Sequence, residues 1–209
     1  MILFGELFLL SLVSRKLTQD LYTLFFRLFR SKTISMTILI LLLFPGTVIH
    51  ELAHLFVAEI LRVRTGKLTL IPESLEEAEI RTGSVTIAHT DPFRRTLIGL
   101  APVYVGIAVL VGLSSITILP VLVFYGMFAV SNSMFSSQED MKGVIPFMIT
   151  VALFVATGYV AGFRLGLTEE LLAGLHPVID SLVRSLGMVL AVNLVTLAAT
   201  SLLLRLFRH

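Results

Sequence analysis

What most limits the fold of this chain is a succession of apolar stretches, at 34–61, 97–119, 120–135, 144–163 and 186–207. A membrane-crossing α-helix needs roughly 20 apolar residues, and all but the third stretch reach that length. Pro120 marks the turn that separates the second stretch from the shorter third. Composition agrees: 56% of the residues are hydrophobic and 14% are charged, against about 25% charged in an ordinary soluble domain. A soluble fold of 209 residues cannot hide so much apolar surface, so lipid must serve as its solvent. Backbone groups in lipid must be satisfied internally, which favours helices. The expected fold is an all-α polytopic membrane protein of about five to six transmembrane helices, with a small membrane-surface β-element.

Three parts follow from this pattern. Residues 1–33 hold an apolar start, expected to stay in the mature protein, and a second segment at 18–29. There Leu21, Leu24, Phe25, Leu28 and Phe29 recur at helical spacing beside Arg27, Arg30 and Lys32, as in a helix lying in the membrane interface. Residues 34–143 form the core, and 144–209 the C-terminal transmembrane helices, with 165–184 expected to be a loop with a short interfacial helix because Gly174 and Pro177 interrupt it. Within the core, 62–95 is the long polar interval. Its segments 64–70 and 81–87 each read as a glycine turn followed by an alternating, β-branched strand, and together as an antiparallel pair.

The formal net charge of +2 gives no reason to expect nucleic acid, and the scattered Lys and Arg suit membrane flanks. A small excess of them on the side of 62–95 favours a cytoplasmic position for that interval. Cysteine is absent, so any metal must be held by His and carboxylate. His50-Glu51-Leu52-Ala53-His54 supplies that chemistry. Positions i and i+4 of a helix share a face, so both imidazoles can reach one ion, and Glu51 can take a proton from a metal-bound water. The pentapeptide alone is common. Inside an apolar segment its three polar side chains are expensive, and such residues are seldom present without a role. Two imidazoles and a carboxylate favour a single zinc ion.

A zinc hydrolase needs a third protein ligand. Candidates near membrane segments are Glu139, Asp140, Glu169, Glu170, Asp180, His89 and His176. Two crossings after His50 the chain returns to the same side at Asp140, whereas 169–180 follow a further crossing. His89 is on the correct side, in a strand or turn facing water. Asp140 is therefore the expected third ligand, with Glu139 the alternative.

A helix bearing HExxH, then a β-element, then two membrane helices ending in Asp resembles the core of the site-2 protease family over residues 34–143. That family carries an Asn eight residues before its metal-binding Asp, as Asn132 stands to Asp140 here, and a Gly-Pro element matched by Gly99-Leu100-Ala101-Pro102. Phe135 replaces the usual Pro, and Met141 the usual Gly, with Gly143 two positions on. The resemblance implies intramembrane proteolysis of a membrane-spanning or membrane-anchored substrate, with Asn132 positioning it and a sheet edge pairing with its unwound strand. It also implies a multi-pass protein of a prokaryotic plasma membrane. Rival readings are another HExxH membrane metalloprotease with a distal Glu ligand, an inactive membrane scaffold, and a transporter.

Overall fold

The computed structural model of the protein describes residues 2–69, 84–87, 90–116, 118–135, 144–162 and 169–206. Its elements, in chain order, are α1 (Ile2–Phe29), α2 (Lys32–Ile60), β1 (Thr65–Thr69), β2 (Ser84–Ile87), α3 (Pro92–Gly99), α4 (Ala101–Ser114), α5 (Pro120–Ser133), α6 (Val144–Val160) and α7 (Glu169–Leu206). The protein is predominantly helical. Among the described residues three helical runs are long and apolar enough to cross a membrane: α2, the joined α3 and α4 (Pro92–Ser114), and His176–Leu206 of α7. The 14 residues of α5 span only about 21 Å at ~1.5 Å per residue.

Local sequence sets most boundaries. Ser31 caps α2 by accepting a hydrogen bond from the Ile34 amide, satisfying one orphan donor of the first turn. At the other end Val63 N–H bonds the Ala58 carbonyl at 2.8 Å and Arg62 N–H that of Glu59 at 3.0 Å. With Arg62 at φ 54° this is a Schellman ending, and Val63 packs on Ala58 as that motif requires. Asp91 caps α3 through the Arg94 amide, and Pro120 opens α5 after Leu119 turns left-handed.

The helices form two groups. In the first, α2 and α5 run in the same direction: Tyr125 hydroxyl donates to the Leu42 carbonyl at 3.1 Å, and four residues on, Gly46 lies directly against the Ala129 carbonyl and Ser133 Oγ. A Cβ at Gly46 would overlap that backbone, so the close approach depends on glycine. Helix α4 runs opposite to α5, with Gly106 by Met134 and Leu113 by Gly126. In the second group α1 and α7 lie side by side in one direction, with Glu6 against Gly187 and Arg27 donating to the Leu204 carbonyl at 2.9 Å. A core of Leu10, Leu110, Met127, Val130, Leu186 and Val189 joins the two groups. Where lipid is the alternative surrounding, such contacts hold by close packing and hydrogen bonding more than by exclusion of water.

Two expectations change. The stripe at 18–29 faces helices rather than only an interface: Leu17, Leu21 and Leu24 are buried, the first two against Leu39 and Leu43 of α2. Of the interval expected to be a loop with a short helix, the described part from Glu169 onward is the first part of a 38-residue helix with Pro177 inside it. An interior proline removes one i→i−4 bond and crowds the carbonyl four residues back, a cost of about 3 kcal/mol that kinks a helix without always ending it. Extension from an already packed C-terminal half adds a bond per residue without a new nucleus.

The strands β1 and β2 pair antiparallel, Thr69 opposite Ser84 and Leu68 opposite Val85, and the register slips by one residue before Thr65 meets Ile87. Gly66, read from sequence as a turn, is thus inside β1 at that irregularity, a common place for glycine in a strand. Helix α6 exposes Leu153, Phe154, Val155 and Val160, an apolar surface of the kind that lipid covers.

Candidate metal centre

Along α2, Ser35, Leu39, Leu43, Gly46, Thr47, His50, Ala53, His54 and Ala58 are buried. Leu41, Phe44, Phe56 and Ile60 are exposed. The spacing of three and four residues defines one protein-facing stripe, and His50, Glu51 and His54, each at most 5% exposed, belong to it. The HExxH turn therefore points into the protein and away from lipid.

The two imidazoles converge. Their Nε2 atoms are 3.3 Å apart, with ring centroids at 4.9 Å and planes at 81°. Two nitrogens each ~2.05 Å from one tetrahedral zinc ion stand about 3.3 Å apart, so the pair has the spacing of two ligands to one ion. His54 Nδ1 lies 2.8 Å from the Ile98 carbonyl oxygen. A carbonyl only accepts, so Nδ1 carries the proton, and in the neutral ring that tautomer leaves the Nε2 lone pair facing His50. This second contact is the kind that orients metal-binding histidines.

Helix packing sets the neighbours of this turn. Gly46 is one turn before His50, and Ser133 Oγ is against it, so the C-terminal end of α5 comes up beside α2 just short of the histidines. Asp140, Glu139 and His89 lie outside the described residues. His176 and Asp180 are exposed on the first half of α7, which Glu169 and Glu170 begin. Among the described residues no group of three His, Asp or Glu side chains stands ready to hold a metal; the described donor set is the pair of histidines with Glu51 beside them.

Asn132 is buried in a different setting. Its Nδ2 donates to the Phe128 carbonyl at 2.8 Å and to Asn193 Oδ1 of α7 at 3.0 Å. Asn193 Nδ2 donates to Ser131 Oγ at 3.1 Å, Ser131 Oγ to the Phe128 carbonyl at 3.1 Å, and Ser14 Oγ of α1 to the Ser131 carbonyl at 3.4 Å. Both amide protons of Asn132 are thus engaged, while its buried Oδ1 has no hydrogen-bond partner among the described residues. Sequence reasoning missed Asn193, although a polar side chain in an apolar helix was a signal. It also missed the Ile98 carbonyl, which no side-chain pattern announces. Comparison with protein families, with characterised proteins and with solved structures finds no match to this chain.

Proposed function

We propose that this protein is an intramembrane zinc metalloprotease of the site-2 protease type, a multi-pass protein of a prokaryotic plasma membrane with five to six crossings and a β-element at the membrane surface. It would hydrolyse peptide bonds of membrane-spanning or membrane-anchored proteins. The observation that carries the reading is the convergence of His50 and His54 Nε2 at 3.3 Å on a buried turn of an apolar 29-residue helix. Burying three such side chains is costly unless they are engaged, and this spacing suits a shared ion.

His50 and His54 would hold the zinc, with Asp140 as third ligand and Glu139 as its alternative. The common direction of α2 and α5 supports Asp140, because the chain leaves α5 at Ser133 on the histidine side of the bundle. Bound zinc supplies an acidified water and a polarised scissile carbonyl. Glu51 is the general base: its carboxylate takes the proton of the attacking water and passes it to the departing amine nitrogen as the C–N bond breaks. Asn132 Oδ1, buried and without a donor among the described residues, would accept a backbone N–H of the unwound substrate. An edge of the β1–β2 pair would extend that strand.

The test is zinc content together with cleavage of a model transmembrane substrate in lipid. Glu51→Gln should keep about one zinc per chain and lose about 10²–10⁴-fold in rate. Asp140→Ala should lose both zinc and activity; if Glu139→Ala does so instead, the third ligand moves to Glu139. An active Glu51→Gln protein, or a wild type without zinc, would overturn the proposal.

A further inference from the structure

Helices α3 and α4 are almost one helix. Leu100 N–H still bonds the Thr96 carbonyl at 2.9 Å, and Tyr104 N–H bonds Leu100 at 3.3 Å. In an uninterrupted helix the carbonyl of Ile98 would receive the N–H of residue 102. Residue 102 is a proline, in the first turn of α4, and has no N–H to give. The carbonyl so left, without its i+4 donor and approached on the backbone side only by the Leu100 N–H that it shares with Thr96, is the one that His54 Nδ1 meets at 2.8 Å. The preceding carbonyl, Leu97, is met by the Tyr104 hydroxyl at 3.2 Å. Ile98 is itself fully buried, packed with Ala58 and Val63 beyond the HExxH turn, so water does not compete for its carbonyl.

We infer that Pro102 is a positioning residue for the metal centre: by withholding one backbone donor it reserves the Ile98 carbonyl for His54, which fixes the Nδ1–H tautomer and aims Nε2 at the ion. The inference rests on the zinc-site reading for its consequence, but its first link, the tautomer of His54, exists without metal. A hydrogen bond to the far nitrogen of a ligating histidine typically changes metal affinity by about 10–100-fold.

The experiment uses the full-length protein in lipid nanodiscs. Zinc affinity is measured by competition with a chelator, and the His54 tautomer by ¹⁵N NMR of the metal-free, histidine-labelled protein. Pro102→Ala restores the N–H and should raise the zinc Kd by about 10–100-fold while His54 loses its uniform Nδ1–H tautomer. Replacing Pro102 by L-lactate, which puts an ester oxygen where the N–H would be, removes the ring but still withholds the donor. That protein should keep wild-type tautomer and affinity. A Pro102→Ala protein with wild-type tautomer and affinity overturns the inference, as does a lactate variant that loses both. Should Pro102→Ala fail to fold, the lactate variant decides alone. A wild type with the Nδ1–H tautomer but no zinc affinity removes the metal reading and leaves the backbone device standing.

Discussion

Two buried polar groups lie close together in this protein and are built on opposite logic. At the junction of α1, α5 and α7, donors and acceptors alternate: Ser14 to Ser131, Asn193 to Ser131, Asn132 to Asn193 and Phe128. Nearly every group there is spent on holding helices together, as interhelical hydrogen bonds in lipid usually are. On α2, by contrast, the two imidazoles turn the same kind of atom, Nε2, towards each other. Two nitrogens facing one another can share a single proton, whereas an ion engages both lone pairs. A polar cluster that closes on itself is architecture. One that converges like atoms on a point suits a shared ion under the proposed zinc reading, and Asn132, whose Oδ1 has no partner among the described residues, stands between the two kinds.

That contrast can be broken at its strongest point first. His54→Ala should reduce zinc affinity by more than about 100-fold, beyond the loss expected of an outer partner, while metal-free stability falls only by the about 1–3 kcal/mol of leaving the buried Ile98 carbonyl without its donor. A large fall in metal-free stability instead would mark the histidine pair as packing, like the junction. Gly46→Ala comes next. Its methyl group would meet the Ala129 backbone and Ser133 Oγ, and overpacking of this kind costs about 1–3 kcal/mol. Both stability and zinc affinity should fall, because α5 must move from beside the HExxH turn. The smallest effect belongs to the junction: Ser14→Ala gives up a 3.4 Å hydrogen bond and should cost about 0.6 kcal/mol by reversible unfolding, with zinc affinity unchanged. A change in zinc affinity there would mean the two clusters are coupled.

Much of this was legible without coordinates. Helix α2 follows from one long apolar run between Ser31 and the polar residues after Leu61, and the i, i+4 spacing of His50 and His54 requires only helical geometry. The break at Pro120 could be read from proline chemistry. Where the structure departs from local pattern, the cause lies in contacts distant along the chain. Gly174 and Pro177 looked like a loop because propensity ignores a helix already nucleated downstream. The stripe on α1 looked interfacial because an amphipathic face does not say whether lipid headgroups or another helix will cover it.

The sequence by itself determined that the chain is helical and apolar, and that one turn inside an apolar run carries two histidines and a glutamate. Its periodicities of 3.6 and 2 and its capping residues suffice for that, since each acts within a few residues. Only the tertiary structure decided that this turn faces protein rather than lipid, that α2 and α5 run together through Gly46, that Asn132 leans on Asn193, and that His54 rests on the carbonyl Pro102 left open. Those facts join residues 44 or more positions apart, and such contacts are chosen by packing and by the need to satisfy every buried polar group, not by any local preference.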